Sequence, residues 1–204
     1  DVLLLAARVL RARRMADALR TPWLRPSAAV VALLVSAYGI SQGMAVPKVR
    51  QVEVAIADLP AAFDGYRVLQ LTDIHASRLL TGEWVAKVVA ESNAQQPDLV
   101  VITGDLVDGS VAARANDVRP LGELKARDGV IAITGNHEYY GQYAQWMPAF
   151  RGLGMLVLEN GHTLINRDGA VLAIAGVTDP VAGRYGLPMP DVKAALAGGA
   201  PHVP

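Results

Sequence analysis

The chain has 204 residues, with 19 Lys or Arg against 19 Asp or Glu and no cysteine. That length holds one ordinary domain, and the absence of thiols excludes disulfides, thiolate zinc sites and a cysteine nucleophile, so any metal must be held by oxygen and imidazole nitrogen. The zero net charge hides two unlike parts: residues 1–50 carry eight basic side chains against two acidic ones, a net +6, and residues 51–204 carry eleven against seventeen, a net −6. An acidic body speaks against a nucleic-acid-binding face.

From the N-terminus, Asp1 to Leu10 is mostly apolar, and Arg8, Arg11, Arg13, Arg14, Arg20 and Arg25 follow within a short stretch. No charge then occurs between Arg25 and Lys48, and Ser27 to Val46 reads SAAVVALLVSAYGISQGMAV. A run of that length spans a hydrocarbon core, so a transmembrane helix over about 27–46 is expected, the plainer alternative being a buried core helix. The first apolar stretch reads as the tail of a preceding helix. The arginine-rich loop between the two would stay in the cytoplasm by the positive-inside rule, which places the body outside it. A twin-arginine export signal built on Arg13-Arg14 would give the same topology. Residues 1–47 are therefore a membrane leader and residues 48–204 the domain. With Asp1 at its start and an unclosed Pro-His-Val-Pro at its end, the sequence reads as a fragment.

In the body, Val49 to Ala57 alternates as a strand does (Val52, Val54, Ile56), and Pro60 and Asp64-Gly65 mark a turn. A strand over Tyr66 to Thr72 is next. Thr81 is a candidate N-cap for a helix to about Ala94, with Trp84, Val85, Val88 and Val89 on one face. Leu99 to Thr103 and Val130 to Thr134 read as two further strands, with a short helix around Pro120 to Ala126 between them. The order predicts βαβ units in a parallel sheet with right-handed crossovers. A helix from Gln142 to Leu153 follows, then Met155 to Leu158 and a hairpin of Thr163 to Asn166 with Ala170 to Ala175, turning at Arg167-Asp168-Gly169. These last strands are expected to continue the sheet antiparallel.

Each of the three parallel strands runs into a motif: Asp73-Ile74-His75, Gly104-Asp105-Leu106-Val107-Asp108 and Gly135-Asn136-His137-Glu138. Open α/β sheets place their chemistry at these carboxyl ends. On an extended segment Asp73 and His75 would point to one side and could meet one ion. Gly104 lets the chain turn so that Asp105 adds a second carboxylate able to bridge two ions, and Asn136 offers an amide oxygen beside the His137 imidazole. Each pattern alone has a plainer reading. Asp73 could be a turn former, Asp108 a solvent-facing turn aspartate, and Asn136 a left-handed turn residue. Three in order, after three strands, argue for a metal site.

This order, with Phe63 to His75 reading FDGYRVLQLTDIH, resembles the calcineurin-like metallophosphoesterase superfamily, and most closely its bacterial membrane-anchored phosphodiesterase branch. The resemblance runs from Val49 to the C-terminus. It implies an α/β metallophosphoesterase sandwich of mixed sheets flanked by helices. It further implies two divalent metal ions of the Mn, Fe or Zn kind, with Asp73 and His75 on one, Asp105 bridging and Asn136 on the second. A hydroxide activated by the two metals would attack phosphorus in line. His137 would serve the leaving group as general acid or charge stabiliser, with Asp108 and Glu138 in support.

The family's later lone His and its Gly-His-x-His are missing, so the fragment by itself is expected to bind metal weakly and hydrolyse little, the full-length parent being the enzyme. Gly161-His162-Thr163 is a poor substitute because Leu164 stands where the second histidine belongs, and His202 sits in a loop-like context. Trp84, Trp146 and Tyr143 read as packing residues, Tyr139-Tyr140 as a loop shield able to touch substrate, and Asp179 as a turn residue before Pro180. The expected function is hydrolysis of a phosphodiester or pyrophosphate, on a substrate that could be lipid-linked, at a bacterial inner membrane with the domain extracytoplasmic. No nucleic-acid partner is expected. The alternative is a catalytically silent, membrane-tethered binding domain of the same fold, with a nuclease of the superfamily as the third reading.

Overall fold

The computed structural model of the chain describes residues 2, 6, 8–12 and 22–198, the Arg25 side chain excepted. Arg13, Arg14, Arg20 and His202 of the sequence reading lie outside the described residues. The chain divides into two compact units, Asp1–Ala45 and Val46–Pro204.

In the first unit, residues 8–12 are helical and α1 spans Leu24–Gly43. Its stretch Pro26–Gly43 is long and apolar enough to cross a membrane, with mean hydropathy 1.2 and none of it buried within the protein. Val30, Val31, Leu33, Leu34 and Val35 are all exposed. A helix that is apolar all round and covered by no protein suits lipid rather than a core. The helix stops three residues before the expected Val46, which is instead half-buried against the core of the second unit.

The second unit is built on a four-stranded parallel sheet in the order β1 (Val68–Leu71), β2 (Leu99–Ile102), β3 (Val130–Ala132) and β4 (Leu156–Val157). Spatial order equals chain order, so right-handed crossovers put the connecting helices on one face. These are α2 (Gly82–Ala94), α3 (Val111–Val118) with the 3₁₀ turn Arg119–Glu123, then α4 (Asn136–Tyr140) and α5 (Tyr143–Gly152). The opposite face is covered by the antiparallel hairpin β5 (Gly161–Arg167) and β6 (Ala170–Gly176). A 3₁₀ turn, Pro180–Tyr185, and α6 (Val192–Leu196) complete the unit.

Strand alternation divides the core in two. Val100 and Ile102 of β2, Ala132 of β3 and Val157 of β4 pack with Val85, Val88 and Val89 of α2 and with Trp146, Met147 and Phe150 of α5. Leu99 and Ile131, one residue out of phase, pack with Phe63, Leu158 and Ile165 on the hairpin side. Burial of each Val, Leu, Ile, Phe or Met side chain among these contributes about 1.5–3 kcal/mol.

Four expectations need correction. Val49 to Ala57 is not a strand: Val52 and Val54 are 79% and 70% exposed, and among the described residues no strand pairs with it. Alternation makes a segment fit a sheet, but only a hydrogen-bonded neighbour makes it a strand. The run at Met155 to Leu158 joins the sheet parallel, not antiparallel, because α4 and α5 supply a crossover long enough to return the chain to the same sheet edge, and the hairpin strands form a two-stranded sheet of their own instead of continuing this one. The polar stretch after Asp108 forms α3, and the helix expected at Pro120 to Ala126 is a 3₁₀ turn. Thr81 holds the N-cap position of α2 without a capping bond, and Asp117 Oδ1 accepts from the Gly82 N–H in its place. The hairpin forms as expected, with Asp168 and Gly169 both at positive φ (50° and 80°) in a two-residue turn that matches strand twist.

At the end of the sheet away from the motifs, Arg167 fastens the hairpin to the strands. Its Nη2 donates to Asp98 Oδ1 at 3.0 Å and Asp128 Oδ2 at 2.9 Å, its guanidinium lies 4.6 Å from the Tyr66 ring centre, and the Tyr66 hydroxyl donates to Asp128. Burial would raise the Asp98 carboxyl, but the Arg67 N–H and the Arg167 guanidinium outweigh it and hold Asp98 below the usual carboxylate range. A carboxyl whose folded pKa is depressed adds stability above its unfolded value, and that stability is lost as pH falls through the folded value. Arg167→Ala should therefore lower the melting temperature near neutral pH, because it removes the charge-assisted bonds to Asp98 and Asp128. Thermal melts of both proteins should show the gap closing as pH drops below about 4.

Candidate metal centre

The three motif loops are stitched together by backbone hydrogen bonds beyond the ends of the strands. Asp73 N–H donates to Gly104 O, His75 N–H to Asp105 O and Ala76 N–H to Leu106 O, while Asp108 N–H returns to Ala76 O. The ladder between β1 and β2 thus continues in looser form through both motifs and carries Asp73, His75, Asp105 and Asp108 with it.

Asp73, His75 and Asp105 have φ of 54°, 45° and 53°. Left-handed backbone at a residue with a β-carbon is uncommon and costs of order 1–3 kcal/mol, and it clusters where surrounding structure enforces it for function. The expectation that Asp73 and His75 share one side because the segment is extended is corrected by these angles. They meet through two left-handed residues flanking Ile74, which is buried.

Close packing of two glycines closes the site from behind. A β-carbon on Gly104, whose φ is 96°, would lie 2.2 Å from Gly135 N, and one on Gly135 would lie 2.2 Å from Asp105 Oδ1. Neither position has room for a side chain.

Gly135 is the N-cap of α4, so Asn136 is the first helical residue and not a left-handed turn residue. Glu138, three residues past the cap, reaches back to accept the Gly135 N–H through Oε2 at 2.8 Å, as a capping-box glutamate does. The same carboxylate accepts Asp105 N–H at 3.0 Å and Leu106 N–H at 2.7 Å. It is 1% exposed. Burial pushes its pKa up against the opposing effect of the three N–H groups. The N–H of His137 in turn donates to Asp105 Oδ1 at 2.9 Å.

Two groups of ionisable side chains result, in each of which one ligand atom per residue lies within 4.8 Å of the others: Asp73, His75 and Asp105, and His75, Asp108 and His137. His75 Nε2 is 3.8 Å from Asp73 Oδ1. Asp108 Oδ1 meets His75 Nδ1 at 3.0 Å and His137 Nδ1 at 2.5 Å. Asp108 is exposed, yet it holds two imidazoles, a role that the plainer reading as a turn aspartate did not contain. A carboxylate accepting from Nδ1–H leaves Nε2 of each ring as the free nitrogen.

Burial lowers the His75 pKa, but the bond to Asp108 and the charges of Asp108, Asp105 and Asp73 outweigh it and raise the imidazole above its usual value. Burial raises Asp108, and its two histidine partners more than reverse that. Thr72 Oγ1 donates to Asp73 Oδ2 at 2.5 Å, an orienting contact that a strand-end threonine gives no hint of in sequence.

Asn136 opens α4 half-buried, directly before His137. His162 is elsewhere engaged, its Nδ1 on Ala195 O at 2.8 Å, and enters neither group. Asp179 caps the following 3₁₀ turn by accepting the Val181 N–H.

The donor chemistry fits a divalent cation. Three carboxylates and two imidazoles converge, and among the described residues no Lys or Arg forms an ion pair with Asp73, Asp105 or Asp108. Oxygen with imidazole nitrogen suits hard to borderline ions.

Comparison with known proteins decides the family. The calcineurin-like phosphoesterase family matches residues 66–189. The chain belongs to that family. The chain is 33% identical over 211 residues to a Bos taurus transmembrane protein with metallophosphoesterase domain, across 98% of this chain and 48% of the relative. It is 32% identical over 177 residues to the Danio rerio protein of the same name, across 84% and 40%. An uncharacterized metallophosphoesterase of Helicobacter pylori is 30% identical over 158 residues, across 78% and 41%. The chain thus spans less than half the length of these relatives. The family is one of metal-dependent phosphoester hydrolases, and its match contains all three motifs.

Glu138→Gln tests the buried carboxylate. Its two oxygens serve three N–H donors, so an amide NH₂ in place of one oxygen sets a donor against at least one buried N–H. Each unsatisfied group costs about 1–3 kcal/mol. The variant should melt lower by about 2–4 °C per kcal/mol in differential scanning calorimetry.

Proposed function

We propose that the protein is a membrane-anchored phosphoester hydrolase that uses a pair of divalent ions on a phosphodiester or pyrophosphate. The observation that carries this reading is the convergence of Asp73, His75 and Asp105, and of His75, Asp108 and His137, at the carboxyl ends of β1, β2 and β3. Asp73, His75, Asp105 and Asn136 would hold the metals. When bound, divalent ions supply Lewis acidity toward a phosphoryl oxygen and toward water.

The protein's own groups do the rest. Asp108 holds His137 by Nδ1, so the Nε2 edge is the one from which a proton can pass to the departing oxygen. Asp108 also fixes His75 with Nε2 as its ligating atom. Because its neighbours hold the His75 proton to higher pH than a free imidazole would, metal uptake competes with a proton and weakens as pH falls.

The apolar helix α1 and the relatives named as transmembrane proteins support the anchor. The arginine-rich leader supports an extracytoplasmic domain at a bacterial inner membrane, a position that suits lipid-linked substrates.

The test is hydrolysis of bis(p-nitrophenyl) phosphate and p-nitrophenyl phosphate by the protein purified in detergent with its membrane segment, with and without manganese. The diester should be cleaved faster, and only with metal. Asp108→Asn should lower kcat/KM about 10–100-fold, as loss of groups that support ligands does, and Asp105→Asn should lower it further. A protein that binds manganese yet cleaves neither ester would establish the silent binding domain instead.

A further inference from the structure

α4 carries two adjacent tyrosines whose circumstances differ. Tyr139 is 3% exposed, its hydroxyl is 3.0 Å from Thr134 Oγ1, and its ring stacks on Tyr143 with centres 4.6 Å apart and planes 11° from parallel. It is fully engaged in the fold. Tyr140 is 57% exposed, and among the described residues its hydroxyl has no hydrogen-bond partner.

Tyr140 nevertheless has a fixed place. It lies three residues after His137, so the two side chains share one face of the helix. Their ring centres are 5.6 Å apart at 61°, an edge-to-face contact. The His137 ring also meets His75 at 4.4 Å and 82°, and its Nδ1 is taken by Asp108. His137 thus contacts His75 and Asp108, which belong to the candidate metal ligand groups, and also an open aromatic ring. A large aromatic ring left in water beside a polar group of the site gains free energy when something flat or apolar covers it.

We propose that Tyr140 is a specificity-determining residue that receives an aromatic substituent of the phosphoester, on the leaving-group side beside His137. This rests on the reading of the site as a phosphoesterase centre. The phenol ring offers stacking or edge-on contact to an aryl group, which an aliphatic substituent of the same charge does not match. Acting by contact with substrate, Tyr140 should change discrimination between substrates while leaving the proton chemistry of His137 intact.

Two measurements on the detergent-purified protein with manganese test this. In the first, kcat/KM is compared for two methyl phosphodiesters whose leaving groups, phenol and hexafluoroisopropanol, are of similar acidity. Tyr140→Ala should lower the value for the phenyl ester about 5–20-fold, the size of a lost aromatic contact, and that for the fluoroalkyl ester less than about twofold. Tyr140→Phe should keep the wild-type ratio, and the pH profile of kcat should stay in place in both variants. An equal fall for both esters, or a displaced pH profile, would show that Tyr140 only positions His137 and would overturn the proposal.

The second measurement is calorimetric binding of phenylphosphonate and methylphosphonate, which needs no turnover. The wild type should prefer the phenyl compound, and Tyr140→Ala should lose that preference. A protein that hydrolyses neither ester but keeps a Tyr140-dependent preference would sink the hydrolase reading and leave the aryl subsite standing. Absence of any preference in the wild type would remove the subsite whatever the activity. Because Tyr140 is exposed, the variants should melt with the wild type, which a scan confirms.

Discussion

The arrangement of this site depends on one buried carboxylate. Glu138 accepts N–H groups from Gly135, Asp105 and Leu106, and so fixes the start of α4 to the loop after β2. A carboxylate taken out of water is costly unless its oxygens are satisfied, and three charge-assisted bonds are what make its burial tolerable. In return, His137 N–H comes within reach of Asp105 Oδ1, and Gly104 meets Gly135 with no space between them. The two motif loops are then one object. The strained, left-handed backbone at Asp73, His75 and Asp105 is held by that object, since the N–H groups of Asp73 and His75 are bonded to Gly104 and Asp105 carbonyls.

Built this way, the centre has a rigid rear and an open front. The rear is the helix-side core, where Ile74, Leu106 and Val107 are buried among the α2 and α5 side chains. On the exposed side, Asp108 lies open to solvent and Tyr140 rests edge-to-face on His137. The site concentrates Asp73, Asp105 and Asp108, and among the described residues no Lys or Arg is paired to them. In the proposed function bound metal would supply the positive charge that these carboxylates face. Asp108 meanwhile divides its oxygen between two imidazoles, one assigned to ligation and one to proton transfer.

The other end of the sheet solves a mechanical problem. The hairpin covers the face of β2 and β3 through Leu99, Ile131 and Ile165, and Arg167 secures its turn to Asp98 and Asp128, residues that precede β2 and β3. Site and clamp therefore sit at opposite strand ends and share the same two strands. At the sheet edge formed by β1, Val68 is left exposed.

The sequence determined by itself what depends on local pattern. Apolar runs gave β1 to β3, the stripe of Val85, Val88 and Val89 gave α2, Asp168-Gly169 gave the hairpin, and three motifs in order gave the family, which the comparison bears out over residues 66–189. Each is a property of neighbours in the chain, where period and turn chemistry act. Tertiary structure alone decided the rest. Val49 to Ala57 has the alternation of a strand but no partner, β4 became parallel only because two helices carried the chain back, and Asp108 became a double histidine partner only when β1 and β3 brought His75 and His137 to it. Glu138 was legible as a capping glutamate for Gly135, yet its bonds to Asp105 and Leu106 span more than thirty residues of chain. Sequence encodes such contacts only through the packing of the whole sheet, because hydrogen bonds across separate loops have no local periodicity to betray them.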